Sequence, residues 1–598
     1  MLLQKIEHHF SYNAQKVAVS SQTGVMTYGQ LAACSKNIAG AIQLQQLKSN
    51  ALVAVLMRRN PAIIAALVGI MRADCAYTIV ESGNHLETLA RLKAIQPELI
   101  IADEDHDTLA LESGFRFLSY KVVSSFREYP ELPAFPKGNA TAYVLFTSGS
   151  TGVPKGVEVS HDNLTHYCKS LCEQLDMPPE QTFGHVSTLS ADLGNTSLFL
   201  SLWTGGTLYL ASESERKDPA ALADIIAKKH IDILKITPTH WRLILAALQT
   251  KAFNSPPLEC LLLGGEALQV DLARASLEQL TTKCLINHYG PTETTIGVTV
   301  HQTTLEELRC AREQTLPIGL PFGYTQILLR GDDGEFKHSG PMNGELFVGG
   351  PSVTKGYRGL IQANTERFTT LPGYDGLYYR TGDRVRREAD GTLHFLGRVD
   401  RQVKINGYRV ELESVEREVR LLSNVEQAVA INHRSNNHDY LLCAYSGDEN
   451  DVENMRQPLS QRIPSYMIPA RFEHFVAMPL NINGKVDIPS IKATLVERFE
   501  QSRAKEATGP VGNTKNQCEQ DVIGVFKKHL QGIDFTMSDD FFQMGGDSLD
   551  AIQLVSDLQL QGYPLTAHNF LAQPSVKGVL ASLEVANNQT QAPRKKSL

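Results

Sequence analysis

The chain has 598 residues, with 57 Lys and Arg against 65 Asp and Glu and a formal net charge of −8. At about 150 residues per domain this length predicts several units and excludes a single small module. Apolar residues at 42% and charged residues at 20% match a folded globular chain rather than a disordered or fibrous one. The slightly acidic balance excludes a global basic field that would gather nucleic acid or an anionic membrane.

The first residues, MLLQKIEHHFSYNAQKVAV, carry no basic segment leading into an apolar one, and every apolar stretch is broken before the about 18 residues of a membrane span. A cytoplasmic location is expected. From Lys16 to about Gly397 short β-rich runs (51–57, 98–103, 142–146, 258–265) alternate with helical patterns (221–230, 239–249). That alternation predicts an α/β lobe with buried sheets over 1–399. Residues 400–498 read as a smaller α+β unit, 499–515 as a polar linker, and 516–588 as a small all-α bundle from the periodicity of QDVIGVFKKHL and SLDAIQLVSDLQ. Residues 589–598 read as a frayed tail. The nine cysteines lie scattered without a CxxC pair, so reduced and mostly buried thiols are expected.

Five motifs carry chemistry. Residues 147–155, TSGSTGVPK, follow an apolar run and supply hydroxyls, flexible backbone N–H groups and a mobile cation, the donors a polyphosphate needs. The loop departs from the Walker pattern, because Pro154 takes a glycine place and a strand rather than a helix follows; alone it names no ligand. HYGPTE at 288–293 joins an aromatic ring, a turn, a hydroxyl and a carboxylate. YRTGD at 379–383, GRVDRQVKINGYRVE at 397–411 and NGK at 483–485 complete the set. Together, and in this order, they resemble the adenylate-forming superfamily and within it the adenylation domains of nonribosomal peptide synthetases, over about residues 10–495. Asn406, Ile488 and the segment 73–82 depart from the usual pattern.

The resemblance implies attack of a carboxylate on the α-phosphorus of ATP, expelling pyrophosphate. Two anions react, so positioning and charge neutralisation do most of the work. Thr147, Ser148, Gly149, Ser150, Thr151, Gly152 and Lys155 would cradle phosphates, and Glu293 would bind Mg²⁺. Tyr289 would stack on adenine beside Gly290 and Thr292, and Asp383 with Arg398 would hold the ribose. Lys485 would bridge the substrate carboxylate and the α-phosphate, and Asp400 would be the hinge between the two lobes.

Asp192 stands in an otherwise uncharged stretch, where the family places the partner of an amino acid's ammonium. In IDILKITPTH strand alternation puts Lys235 on an apolar face and Asp232 on the other; by itself this suits a snorkelling lysine or one paired at a distance. By resemblance the pocket is lined by Asp192, Leu193, Thr196, Lys235, Leu262, Gly264, His288, Ile296, Gly297 and Lys485. Two potential cations, Lys235 and His288, between Leu and Ile walls resemble the pockets of aspartate-activating members. Asparagine is the competitor, since the pockets of asparagine-activating members share several of these residues; it is disfavoured because an amide would leave Lys235 without a counter-charge.

Near the C-terminus, FFQMGGDSLDAIQLV breaks at two glycines and caps a helix. It resembles a peptidyl carrier domain, expected as a four-helix bundle with 4′-phosphopantetheine on Ser548, whose thiol would take the aminoacyl group. A phosphopantetheinyl transferase is then an implied partner, together with downstream tailoring or condensation enzymes acting in trans for antibiotic or other secondary-metabolite synthesis, and a small activating helper protein. Two alternatives compete: a ligase serving free coenzyme A, and a non-catalytic scaffold presenting a carrier.

Overall fold

The computed structural model describes residues 1–598 except 82–84, 126–134, 148–154, 250–257, 280–281, 400, 406–407, 436–437, 449–451, 461, 480–485, 507–516, 531–534, 536, 538, 540, 542–543, 545–547, 566–568, 571–572 and 591–598. The chain divides into two compact units, residues 1–149 with 153–400, and residues 401–598 with 150–152.

Among the described residues the first unit holds three sheets. In one, Leu52–Leu56 pairs in parallel with Ala76–Ile79 and Leu99–Ala102, and every residue of these three strands is buried. Burial on both faces is what a parallel sheet sandwiched by helices requires, and it explains the uninterrupted apolar runs. Helix Pro61–Arg72 covers this sheet; it starts where Asn60 accepts the Ala62 N–H and proline occupies the first turn. A nine-stranded sheet contains the parallel series Thr207–Leu210, Thr182–His185, Ile233–Ile236, Cys260–Gly264 and Cys284–Tyr289, then the antiparallel strand Thr299–Thr303. A third, antiparallel sheet is built around Met342–Gly349 and Tyr378–Arg387. One continuous apolar cluster joins the two parallel-containing sheets.

In the second unit, Val425–Ser435, His438–Gly447 and Arg471–His474 form a three-stranded sheet. Buried Glu416 accepts the Ala430 N–H at 2.8 Å and an Arg401 N–H at 2.7 Å. Helix Ile488–Glu506 packs Ile491, Leu495 and Phe499 against this sheet, so the chain stays helical well into the stretch read as a linker. Phe499, the first residue of that stretch, is fully buried; one aromatic anchor outweighed the polar composition around it. The same apolar cluster continues into helices Gln517–His529, Ser548–Leu560 and Val576–Thr590. Their core is aromatic: Phe541 meets Phe526 edge-on at 5.5 Å and Phe570 at 5.4 Å.

All nine cysteines are free; four are buried, four partly so, and Cys310 is exposed, so burial of the thiols is less complete than expected. Among the described residues no helix is long and apolar enough to cross a membrane.

Candidate functional site

The parallel strands aim their C-terminal ends at one region of the first unit, where open α/β sheets gather ligands. Thr147 and Lys155 face each other across a strand pair that brackets the loop expected to bind phosphates. The loop residues Ser148, Gly149, Ser150, Thr151 and Gly152 lie outside the described residues. A strand, Lys155–Ser160, follows the loop as expected. The Lys155 ammonium sits 5.4 Å from the ring centre of Tyr357, and the Tyr357 hydroxyl donates to Glu293 Oε1 at 2.7 Å. Glu293 is 1% exposed and lies in the short turn Thr292–Thr294. Tyr357 thus ties the loop cation to the turn carboxylate, a link that sequence reasoning missed because a tyrosine beside a glycine turn carries no periodic signal.

Beyond that turn Thr295 and Ile296 both adopt left-handed backbone, at φ 61° and 68°. Two successive β-branched residues in this region are costly and persist where surrounding contacts hold them. Here the Thr295 hydroxyl donates to Ser352 O at 2.8 Å and the Gly297 N–H to Thr295 O at 2.7 Å. Gly290 packs against the returning chain, since a Cβ there would stand 2.4 Å from Gly297 Cα.

Asp383 and Arg398 are cross-strand partners and form an ion pair at 2.7 Å. The Tyr289 hydroxyl donates to the other Asp383 oxygen. Burial, then the Asp383 charge, pushes the Tyr289 phenol well up, so it remains a donor.

Register assembles the pocket residues. Lys235 lies opposite Leu262, and Gly264 opposite His288, which stacks four of the expected residues on one sheet face. Lys235 is 1% exposed, and its Nζ donates to His288 Nδ1 at 2.6 Å. Burial, then the adjacent Lys235 charge, hold His288 well below the usual imidazole range. The expectation of two cations is therefore corrected: His288 is neutral, because a second buried charge beside the ammonium would be repelled and poorly solvated. Accepting at Nδ1 leaves its proton on Nε2, and Nε2 is buried with no hydrogen-bond partner among the described residues. Gly264 and Gly297 make this arrangement possible; Cβ atoms there would approach Lys235 Nζ to 2.6 Å and His288 Nε2 to 2.1 Å.

Asp192, Leu193 and Gly194 form a single 3₁₀ turn that leads into helix Asn195–Thr204. Thr196 Oγ1 lies 2.8 Å from the Tyr167 hydroxyl. Burial, reinforced by the Asp192 charge, pushes both the Tyr143 and Tyr167 phenols well up. Lys485 and Asp400 lie outside the described residues. Ser548 is the first residue of helix Ser548–Leu560, where backbone N–H groups lack helical partners.

The AMP-binding enzyme family model matches residues 6–358, and the phosphopantetheine attachment site model matches 521–583. Surfactin synthase subunit 2 of Bacillus subtilis (strain 168) is 31% identical over 581 residues, which make up 95% of this chain and 16% of that protein. Tyrocidine synthase 2 of Brevibacillus parabrevis is 28% identical over 597 residues, 98% of this chain and 16% of that protein. The chain thus spans less than a fifth of the length of these curated relatives. The solved structure of holo-PA1221, an NRPS protein containing adenylation and PCP domains bound to a vinylsulfonamide inhibitor, superposes with a TM-score of 0.80 at 24% identity, over 97% of this chain and 96% of that one. The Vibrio cholerae adenylation domain AlmE in complex with glycyl-adenosine-5′-phosphate does so at 0.71 and 24% identity, over 83% and 98%. At these identities the structural likeness concerns the fold.

Proposed function

The chain belongs to the AMP-binding enzyme family, and on that premise we propose that it activates L-aspartate and loads it onto its own carrier domain. A carboxylate oxygen of the amino acid bonds to the α-phosphorus of ATP as the bond to the bridging oxygen breaks and pyrophosphate leaves. Ser548 would carry the phosphopantetheine group, which when attached would supply the thiol that accepts the aminoacyl group from the adenylate in exchange for AMP.

One observation supports aspartate over other amino acids: the Lys235 ammonium and the buried Nε2–H of His288, which has no partner among the described residues, lie on one face of the strands that carry them. Both are donors. A side-chain carboxylate offers an acceptor to each, whereas an amide would turn its own N–H₂ toward one of them. Desolvating a mismatched donor costs about 1–3 kcal/mol, which argues against asparagine. The neutral state of His288 makes the margin smaller than two cations would, and it makes geometry as important as charge.

Asp192 would pair with the substrate ammonium. Lys155 and the loop 147–152 would hold phosphates, Tyr289 would lie against adenine with Gly290 and Thr292, and Asp383 with Arg398 would hold the ribose. Lys485 would reach the reacting carboxylate, and Asp400 would serve as the hinge. Glu293 suits Mg²⁺: among the described residues no cluster of three or more metal-ligating side chains exists, and Mg²⁺ commonly takes one or two carboxylates with substrate phosphates and water. When bound, the ion neutralises charge on the phosphate oxygens. A phosphopantetheinyl transferase, later enzymes of nonribosomal peptide or related secondary-metabolite synthesis acting in trans, a helper protein and a cytoplasmic setting belong to the same proposal.

ATP–pyrophosphate exchange with each of the twenty amino acids tests the substrate. Aspartate should dominate; strong exchange with asparagine or an apolar amino acid, and none with aspartate, would refute the pocket reading. Exchange with no amino acid at all would favour a scaffold.

A further inference from the structure

Arg59 is a buried arginine outside the nucleotide and pocket residues. It follows strand Leu52–Leu56 of one sheet, yet its guanidinium reaches the C-terminal ends of two strands of the other. Nε donates to Ala211 O, Nη1 to Ser187 O at 2.8 Å, and Nη2 to His185 O at 2.7 Å. Nη2 also donates to His185 Nδ1 at 2.6 Å. An acceptor at Nδ1 places the histidine proton on Nε2. His185 is 1% exposed; burial, then the Arg59 charge, keep it well below the usual imidazole range, so the ring is neutral.

The far edge of this ring meets the turn that carries Asp192. A Cβ on Gly194 would stand 2.4 Å from His185 Nε2 and 2.6 Å from Ser187 Oγ, so the turn rests on the imidazole edge and only glycine fits. His185 Nε2 and Ser187 Oγ are both buried without hydrogen-bond partners among the described residues, and both converge on this glycine. Leaving two polar atoms unsatisfied at one place is unfavourable and marks a location held for another purpose. The other limb of the loop is braced separately, with Thr188 Oγ1 donating to Glu81 and lying 2.9 Å from Ser190 Oγ. The charged groups around Arg59 are Arg216, Glu213, Glu81 and Glu215.

We propose that Arg59 and His185 are positioning residues for the amino-group anchor: Arg59 fixes the height and tautomer of His185, and the imidazole edge sets the height of the Gly194 turn, hence where Asp192 presents its carboxylate. The inference rests on reading Asp192 as the partner of the substrate ammonium. It does not depend on which side chain the pocket selects.

The test uses the full-length protein and two non-hydrolysable ligands, the aminoacyl sulfamoyl adenosine of whichever amino acid gives exchange, and the same molecule lacking the α-amino group. Their Kd ratio, measured by calorimetry, isolates the contribution of the ammonium. His185→Leu and Gly194→Ala should each shrink that ratio about tenfold or more, the scale of a misplaced charge-assisted hydrogen bond, with the des-amino ligand bound as before. His185→Gln, whose amide can accept from Arg59 and donate onward, should keep most of the ratio. Equal weakening of both ligands, or an unchanged ratio in Gly194→Ala, would overturn the positioning role. If the amino group makes no difference in the unaltered protein, the reading of Asp192 itself fails, which is a separate result.

Discussion

Replacing Lys235 with methionine separates a functional lysine from a structural one. The side chain is 1% exposed and its Nζ donates to a neutral histidine at 2.6 Å. Lys235→Met keeps the length of the side chain and removes the charge. For the empty protein two terms oppose each other: relief from burying an ammonium, which in well-packed apolar replacements is often neutral or stabilising, and loss of the donor to His288 Nδ1, about 1 kcal/mol. Thermal stability should therefore change little. Aspartate activation should not be spared, because a charge-assisted hydrogen bond contributes about 1.5–3 kcal/mol, or about 10- to 150-fold in kcat/KM. Exchange with aspartate, asparagine and leucine, alongside a melting curve, gives both readings. The expected pattern is selective loss of aspartate turnover with an unmoved Tm. A collapsed Tm with aspartate turnover intact would assign Lys235 to structure and refute the ionic reading.

Tyr357→Phe removes the phenol that donates to Glu293 at 2.7 Å; KM for Mg-ATP should rise several-fold while KM for the amino acid stays constant, and an unchanged nucleotide KM would argue against the Tyr357–Glu293 link. Phe526→Ala empties the centre of the aromatic carrier core, at a cost of about 3–5 kcal/mol; phosphopantetheinylation of Ser548, read by intact mass, should fail while ATP–pyrophosphate exchange, whose proposed residues all precede the carrier helices, continues. Acidification should weaken the first unit, because burial lowers His161 and His240 to about 4 and also depresses His185 and His288. These groups bind protons more readily unfolded, so their contribution is present above the unfolded value near pH 6.5 and falls as pH drops below it. His529 runs the other way: burial lowers it, but bonds to Asp550 and Asp557 outweigh burial and raise it. Its contribution is full below about pH 6.5 and is lost as pH rises through the folded value, so His529→Ala should flatten the alkaline side of the second unit's melting profile.

Local pattern carried much of the architecture. The runs 51–57, 98–103, 142–146 and 258–265 overlap strands Leu52–Leu56, Leu99–Ala102, Thr141–Thr147 and Cys260–Gly264, and 221–230 and 239–249 overlap helices Pro219–Lys228 and Pro238–Gln249, because side-chain period and turn residues act over a few positions. The linker boundary misled for the same reason: polar neighbours define a local composition, while Phe499 finds its partners on a sheet strand far away in the chain.

Motif order along the chain was enough to point to the family and to nominate candidate residues for contact with ATP and an amino acid. Folding decided their states. Lys235 and His288 are 53 positions apart, and Glu293 and Tyr357 are 64. Whether a histidine is a second cation or a neutral donor depends on how close strand register brings the lysine and on how little water remains, and neither is written in the residues beside it. Arg59, which follows a strand of one sheet, and His185, which ends a strand of another, lie 126 positions apart and have no motif at all. They meet because packing one sheet against another buries a guanidinium where strand-end carbonyls and an imidazole can satisfy it, and only the assembled core creates that place.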